Sequence, residues 1–290
     1  MNRANELRMR QYREAVEHHL ETCFSDEAPQ KVLFDAMRYS LLAGGKRIRP
    51  VLTLEFARLC GGDPMQAIPV AAAIEMVHTY SLIHDDLPCM DNDDYRRGRL
   101  TNHKVYGEAT AVLAGDALLT AAFSHIAASG LPSKVIADCV GILADAAGEN
   151  GMVGGQVLDM EGETKTLTED EVYRVHALKT GCLISAACCL GVAAAQGSSE
   201  QLAAAKAYAE ALGLAFQIRD DMLDVLGDEK KLGKATHMDE KKTTFVDLYG
   251  VAGCEAKVKE KTQRAISALD AFTEHSFLTE LANDLAARDH

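Results

Sequence analysis

The sequence is poor in residues that interrupt helices. Only six of its 290 residues are proline, whereas the helix-favouring residues Ala, Leu, Met, Glu and Lys are common throughout. No stretch shows the sustained alternation with β-branched residues that marks a strand. Long Pro/Ser linkers and low-complexity segments are absent as well. These shortages argue against a β-rich fold and predict one all-α domain over residues 1–290.

Positive charge and paired cysteines are also scarce. The net charge is −13, which argues against a nucleic-acid partner because phosphate backbones are held by clustered Lys and Arg. The eight cysteines are scattered without a CxxC pair, so we expect mostly core thiols in a reducing compartment. The polar N-terminal stretch Met1–Arg10 has no apolar signal region. We therefore expect a cytoplasmic protein.

One uncharged run, Thr180–Ser199, has roughly the length of a membrane span. It is rich in Ala, Gly, Cys and Ser rather than Leu or Phe. This composition favours a tightly packed buried helix, so no membrane is expected as a partner.

Turn-forming residues divide the chain into candidate helices. Breaks such as Gly44-Gly45 and Gly61-Gly62-Asp63-Pro64 carry the chemistry of turns. Between the breaks, the pattern predicts helices over Glu6–Phe24, Lys31–Leu41, Pro50–Cys60, Pro64–Asp86, Val112–Ala128, Ser133–Asn150, Glu169–Val175, Leu178–Ala195, Ser199–Val225, Thr243–Tyr249 and Glu255–Leu285.

Two aspartate-rich motifs follow apolar helical stretches. In the second motif, Asp220-Asp221-Met222-Leu223-Asp224, the first and last carboxylates share one helical face. In the first motif, Pro88 disfavours further helix and predicts a bend that turns Asp91 back toward Asp85 and Asp86. Carboxylates this close raise one another's pKa, and sites built only from oxygen select Mg²⁺. One such motif is typical of a solvated turn, but two indicate a magnesium site.

Two basic clusters complement the acidic motifs. The stretch GGKRIRP at 44–50 places three cations beside a glycine pair, just before a predicted helix. Such an arrangement favours phosphate through backbone N–H groups and bidentate Arg contacts. The second cluster, Arg96-Arg97-Gly98-Arg99, follows the first acidic motif. Each cluster alone is typical of a solvated surface, but beside a cation site they indicate a diphosphate clamp.

The stretch from Lys46 to Lys234 resembles the trans-prenyltransferases, most closely the bacterial farnesyl diphosphate synthases. The matching motifs are GGKRIRP, HTYSLIHDDLPCMDNDDYRRGRLTNHKVYGEATAVLAGDALL, GGQVLD, KTG and FQIRDDMLD. The resemblance implies an all-α bundle around a deep apolar cavity, the isoprenoid synthase fold, as a homodimer. It implies a short-chain synthase that condenses isopentenyl diphosphate with dimethylallyl or geranyl diphosphate by ionisation, condensation and elimination.

The resemblance also assigns roles to individual residues. Three Mg²⁺ ions per site are implied on Asp85, Asp86, Asp91, Asp220, Asp221 and Asp224. The allylic diphosphate is implied on Arg96, Lys179 and Lys234, which complete the catalytic set with the aspartates other than Asp224. Isopentenyl diphosphate is implied on Lys46, Arg49, His78 and Arg97. Thr180 and Gln217 are implied beside the allylic carbons.

Product length is the remaining implication. The family places an aromatic residue at Tyr80 as the floor of the tail pocket in farnesyl synthases, which predicts a fifteen-carbon product. Ser81 is better aligned with Asp85 along the helix, but it is too small to block a chain. After Lys234, the family usually has an Asp and then Gly-Lys-x-Thr, whereas residues 235–243 here read ATHMDEKKT, a shorter loop that lacks the glycine.

Three other interpretations remain open at this point. A geranylgeranyl diphosphate synthase has the same site with a deeper pocket. A catalytically silent partner subunit is expected to lose an acidic motif, yet both are whole here. A helical bundle with a carboxylate-bound metal pair uses repeated Glu-x-x-His, and only Glu75 and His78 match that spacing.

Overall fold

The structure, a computed structural model, describes residues 1–24, 29–226 and 242–288. Its helices are α1 Arg3–Thr22, α2 Lys31–Leu41, α3 Ile48–Leu59, α4 Ile68–Asp85, α5 Asn102–Tyr106, α6 Glu108–Ala127, α7 Ser133–Ala147, α8 Met152–Gly162, α9 Glu169–His176, α10 Cys182–Ala194, α11 Ser199–Leu226, α12 Phe245–Ser267 and α13 Ser276–Ala287. Short 3₁₀ turns at Pro64–Ala67 and Ala268–Ala271 and a π turn at Ala177–Gly181 complete the helical part. The predicted all-α class is confirmed.

Most predicted helices are present within a few residues, and the exceptions have local causes. Helices α5 and α8 were not predicted, because α5 has only five residues and α8 begins MVGG, in which glycine disfavours helix. Helix α12 runs across the predicted gap between Tyr249 and Glu255, and it kinks at Gly250, which has a φ of 64°. The prediction of one continuous helix to Leu285 is wrong, because α12 ends at Ser267 and α13 begins only at Ser276.

A two-residue hairpin lies between the first acidic motif and α5. Strand β1, Tyr95–Arg96, pairs antiparallel with β2, Arg99–Leu100. The two residues of its turn, Arg97 and Gly98, have φ of 53° and 73°, as a type I′ turn requires. The hairpin thereby fixes the positions of two arginines that the sequence assigns to the site.

The core is built around helices that are buried on nearly all sides. Nine of the thirteen residues of α10 are buried, which confirms the buried helix predicted for the uncharged run. By length and composition alone, Glu108–Ala127 and Glu169–Ala194 could cross a membrane, but core helices pass the same test. All eight cysteines are free thiols, and four of them, Cys139, Cys188, Cys189 and Cys254, are buried.

One ion pair is enclosed in this core. Arg47 Nη1 lies 2.6 Å from Glu75 Oε1, and both side chains are at most 3% exposed. Arg47 also donates to the carbonyl oxygen of Leu41 at 2.7 Å. Glu75 is therefore engaged by an arginine, which weakens its interpretation as a metal ligand in a Glu-x-x-His pair.

We expect Glu75→Ala to lower the free energy of unfolding by about 3–5 kcal/mol, because it leaves the buried Arg47 guanidinium with only the half-buried Glu17 carboxylate, at 3.6 Å, as a counter-charge. The double variant Arg47→Met/Glu75→Leu should recover most of this loss. Urea unfolding measures both. The control is Asp138→Ala, which removes an exposed pair with Lys134 and should cost under about 1 kcal/mol. Equal losses in Glu75→Ala and Asp138→Ala would contradict the prediction.

Candidate active site

Three neighbouring cavities of different character share their lining residues. The largest, of about 450 Å³, is mostly apolar and includes Tyr80, Met152 and Leu183 in its wall. A basic cavity of about 160 Å³ shares Arg49 and His78 with it. An acidic cavity of about 160 Å³ shares Lys179 and Thr180 with it. The apolar cavity therefore lies between a cationic and an anionic end.

Helix α4 carries one wall of the apolar cavity and delivers the first acidic motif. His78, Ser81 and Asp85 all line the cavity from this helix. The helix ends at Asp85, and the following turn folds back, because Asp91 N donates to the Asp85 carbonyl oxygen at 2.9 Å. The bend predicted from Pro88 is present, and it brings Asp91 beside Asp85.

The carboxylates of this motif are held at an electrostatic cost. Burial raises the pKa of Asp85 to about 6, and the neighbouring charges of Asp91 and Asp86 add to it, although Lys179 opposes the rise. Burial also raises the pKa of Asp86, which is 3% exposed, while Arg96 opposes this effect. Arg96 Nε donates to Asp86 Oδ1 at 2.6 Å. The nearby cations thus compensate only part of the cost of burying the charged forms of Asp85 and Asp86.

The second acidic motif lies in the last turns of α11. Asp220, Asp221 and Asp224 all line the acidic cavity. Asp221 Oδ2 accepts from Phe245 N at 2.8 Å and so caps the start of α12. Asp220 Oδ1 lies 2.6 Å from Nη2 of Arg288, which follows α13. Each of these two aspartates is thus tied to a different helix, while both face the same cavity.

The π turn presents Lys179 between the two cavities. Wide turns of this kind are frequent at functional sites. Helix α8 packs directly against the turn, since a Cβ atom on Gly155 would lie 2.2 Å from the backbone nitrogen of Lys179. Lys179 Nζ reaches Asp159 Oδ2 at 2.7 Å, and Lys242 Nζ reaches the same oxygen at 2.8 Å.

Asp159 is a site residue that the sequence assignment missed. Burial alone would raise the pKa of Asp159, but Lys179 and Lys242 outweigh burial and place that pKa below its usual value. The available signal was its place as the last residue of GGQVLD, a motif noted only for its resemblance. Asp159 holds the two lysines at the edge of the acidic cavity.

The basic cavity has the features of an anion site. Lys46, Arg49, His78 and Arg97 all line it. Arg49 Nε is buried without a hydrogen-bond partner in the described part of the chain. Burial and the nearby charges of Arg49 and Arg97 place the pKa of His78 well below its usual value. A side chain at Gly45 would collide with Arg97, since its Cβ would lie 2.8 Å from Cζ.

The structure therefore gathers most residues assigned from sequence around the three cavities, with four exceptions. Thr180 and Gln217 line the acidic cavity, and Tyr80 and Ser81 line the apolar one. Asp86 and Arg96 instead line a small cavity of about 30 Å³ together with Arg97, and Asp91 is not among the lining residues of any of these four cavities. Lys234 and residues 235–241 of the following loop lie outside the described residues.

Comparison with known proteins decides the family. The Polyprenyl synthetase family model matches residues 30–283. The chain belongs to this family. A farnesyl diphosphate synthase of Geobacillus stearothermophilus is 48% identical over 272 residues, which cover 91% of each chain. A geranylgeranyl diphosphate synthase of Cyanophora paradoxa is 47% identical over 224 residues, covering 76% of this chain and 75% of that protein. The predicted family and the prenyltransferase class are confirmed.

Solved structures of polyprenyl synthetases share the fold. An apo FPP/GFPP synthase from Zymomonas mobilis matches with a TM-score of 0.89 at 35% identity, covering 98% of this chain and 99% of that one. A geranyltransferase from Helicobacter pylori, complexed with magnesium and isoprenyl diphosphate, matches with a TM-score of 0.83 at 34% identity. It covers 98% of this chain and 97% of that one.

His176 supplies a pH dependence that tests the packing around the acidic cavity, which it lines. Its Nδ1 accepts from Gln217 Nε2 at 3.1 Å, and its ring stacks on Phe245 at 4.9 Å. Burial lowers the pKa of His176 to about 4, with Lys179 and Lys242 contributing and Asp159 opposing. The neutral ring therefore stabilises the fold fully above about pH 6.5, and this contribution is lost as the pH falls toward 4.

We expect the wild-type free energy of unfolding to fall by about 2 kcal/mol more than that of His176→Gln between pH 7 and pH 5. Urea unfolding at the two pH values measures the difference. Thr273→Ala is the control, because Thr273 is exposed and carries no titratable group, so the wild-type pH dependence should be retained. An identical pH dependence in wild type and His176→Gln would overturn the argument.

Proposed function

We propose that the protein is a farnesyl diphosphate synthase, which adds isopentenyl diphosphate to dimethylallyl and then geranyl diphosphate. The observation that carries this proposal is the order in which the three cavities adjoin. A basic pocket, an apolar pocket and an acidic pocket adjoin through Arg49 and His78 on one side and Lys179 and Thr180 on the other. Two anionic substrates whose reacting ends are hydrocarbon fit this order.

The acidic motifs fit divalent cations. Asp85 and Asp86 have raised pKa values because of burial, so a cation that compensates their charge is favoured there. All-carboxylate donors select Mg²⁺, which also accepts phosphate oxygens. We propose three Mg²⁺ ions per site, held by Asp85, Asp86, Asp91, Asp220, Asp221 and Asp224. When bound, the metal neutralises charge on the departing diphosphate.

The basic residues divide between the two substrates. Lys46, Arg49, His78 and Arg97 are proposed to hold isopentenyl diphosphate in the basic cavity. Arg96, Lys179 and Lys234 are proposed to hold the allylic diphosphate, with Thr180 and Gln217 beside its carbons. The six aspartates contribute about −6, and the two diphosphates contribute about −3 each. The six Lys and Arg side chains and the three divalent cations offset this negative charge, while His78, with its lowered pKa, is neutral. The total charge of the loaded site is near zero.

The chemistry needs no side-chain nucleophile. The bond between allylic C1 and the diphosphate oxygen breaks, and its electron pair leaves with the diphosphate. The double bond of isopentenyl diphosphate supplies the electron pair for the new carbon–carbon bond at C1. The proton then lost from the resulting cation passes to the released diphosphate. Lys179 stabilises the leaving charge, and the apolar cavity excludes water that would trap the cation.

We also propose that residues 1–290 form one domain, that the enzyme is cytoplasmic and that it is a homodimer. The main core cluster includes residues from α1 and α13, which supports a single domain. Exposed apolar side chains on α5 and α6, including Val105, Val112 and Leu113, support a subunit contact. Sedimentation equilibrium tests the dimer, since a monomer mass at micromolar concentration would refute it.

The second candidate is a geranylgeranyl diphosphate synthase, because a relative with that name is nearly as similar in sequence. Incubation with labelled isopentenyl diphosphate and each allylic primer, followed by measurement of product length, separates the two. A catalytically silent subunit is disfavoured, because both acidic motifs are whole. Asp85 of the first motif lines the apolar cavity, the second motif lines the acidic cavity, and Lys179 lines both cavities.

We expect turnover to require Mg²⁺, and Asp85→Asn or Asp220→Asn to lower the rate on the order of 10²-fold or more, because each removes a metal ligand. Initial rates with labelled isopentenyl diphosphate measure the loss, and thermal unfolding verifies the fold. Asp138→Asn, a change on the exposed face of α7, is the control and should leave the rate unchanged. Near wild-type turnover in a folded Asp85→Asn or Asp220→Asn variant would refute the metal assignment.

We expect Tyr80→Ala to extend the product beyond fifteen carbons. Five added carbons gain roughly 4 kcal/mol of burial at about 0.8 per methylene, so elongation stops only at a wall. Tyr80 lines the apolar cavity, is 6% exposed and packs edge-on against His84. Product analysis by mass spectrometry measures the chain length.

The matched control is Tyr80→Phe, which keeps the ring and should still yield fifteen carbons. Ser81→Phe adds bulk to the same cavity and should shorten the product. If folded Tyr80→Ala still stops at fifteen carbons, the floor of the pocket is formed by other residues.

A further inference from the structure

A second cluster of metal-ligating side chains lies where the end of α1 meets the end of α6. His19 lies in the last turn of α1, Cys23, four residues later, is the C-cap residue that follows this helix, and His125 is in the last turn of α6. One ligand atom from each of the three lies within 4.8 Å of the other two. None of the three is among the residues that line the cavities of the candidate active site.

The hydrogen bonds of His125 orient its free nitrogen toward the cysteine. Its Nδ1 lies 2.9 Å from the carbonyl oxygen of Ala121, so Nδ1 carries the proton and donates. Nε2 is then the unprotonated nitrogen, and it lies 3.1 Å from Cys23 Sγ. Histidines that bind metals are oriented in this way, with the outer N–H on a backbone carbonyl.

His19 contributes a nitrogen that the protein leaves without a partner. Its Nε2 is buried and has no hydrogen-bond partner in the described part of the chain. Its ring faces that of His125 edge-on at 5.8 Å between centroids. Buried polar atoms are nearly always satisfied, so an unpartnered nitrogen on an imidazole that shares a cluster with a thiol and a second imidazole indicates a position for a ligand.

The chemistry of the three donors identifies the class of ligand. One sulfur and two imidazole nitrogens suit Zn²⁺ and other borderline or soft transition metals, whereas Mg²⁺ prefers oxygen. Burial, then His125 and His18, lower the pKa of His19, which keeps it neutral, as a ligand must be. Burial raises the pKa of Cys23 to about 11, so the thiol would release its proton to solvent only when a metal ion binds the sulfur.

The distances require little movement. In a tetrahedral zinc site, bonds of about 2.0–2.3 Å place neighbouring nitrogen and sulfur ligands roughly 3.5 Å apart. The Sγ–Nε2 distance of 3.1 Å is already close to this, and the widest separation in the cluster is within 4.8 Å. Phe24 stacks on Phe34 and packs edge-on against His125, so the site has an apolar side.

We propose that His19, Cys23 and His125 bind one Zn²⁺ or a similar transition metal, with a fourth position left for water, and that this metal fastens α1 to α6. The site is separate from the magnesium site of the proposed reaction. Its presence or absence is independent of whether the enzyme makes farnesyl diphosphate.

The test uses Co²⁺ as a spectroscopic probe on the full chain, with excess Mg²⁺ to occupy the acidic motifs. We expect one equivalent of Co²⁺ to give an intense near-ultraviolet band from thiolate-to-metal charge transfer, together with the visible bands of a tetrahedral ion. Cys23→Ser should abolish the thiolate band, and His125→Asn should weaken binding at least tenfold. Cys60→Ser is the matched control, because Cys60 is similarly half-buried and its pKa is likewise raised to about 11.

Zinc stabilisation is the second measurement. At 100-fold excess over its Kd, Zn²⁺ should raise the thermal midpoint of wild type and Cys60→Ser by roughly 5 °C, and that of Cys23→Ser far less. Circular dichroism and unchanged prenyltransferase rates establish that Cys23→Ser is folded. A Co²⁺ spectrum without the thiolate band, or the same band and the same zinc shift in Cys23→Ser, would overturn the proposal.

Discussion

Carboxylates buried at the ends of apolar helices need counter-charges, and much of this fold is arranged to bring those charges to them. Asp86 receives Arg96 from the hairpin, at 2.6 Å. Asp220 receives Arg288 from the segment after α13, at the same distance. The first pair joins the end of α4 to the hairpin, and the second joins α11 to the segment after α13. The hairpin and the return of α13 to α11 thus serve the acidic motifs.

The same requirement explains the local irregularity at the centre of the site. Lys179 stands in a π turn, where the wider backbone places its amine on Asp159 and between two cavities. This geometry depends on Gly155, because any side chain there would collide with the turn. A regular helix through 177–181 would rotate Lys179 relative to α8. The irregular turn and the glycine are therefore parts of one arrangement.

Local patterns in the sequence predicted the parts of the fold that depend on local rules. Pro88 after two aspartates predicted the bend that returns Asp91, and the uncharged run predicted the buried α10. Asp159 stands in a motif noted from the sequence, but its pairing with two lysines could not be predicted, because they come from positions 179 and 242. Helix α8 was missed for a related reason, since its glycines disfavour helix locally but are required by packing across the site. Nothing local indicates such a requirement.

Where the acidic motifs lack counter-charges, the apolar cavity has exposed apolar side chains in its wall. Val153, Val157 and Met160 line it from α8, yet they are 46%, 52% and 43% exposed. Apolar side chains at positions i, i+4 and i+7 form one face of a helix, and that face here borders a cavity instead of packed protein. A hydrocarbon chain in the cavity would remove this surface from water, which is favourable in proportion to the area covered. The acidic walls thus lack positive charge and the apolar wall lacks a hydrocarbon to cover it, and the proposed substrate, a diphosphate with a prenyl tail bound together with divalent cations, would supply both.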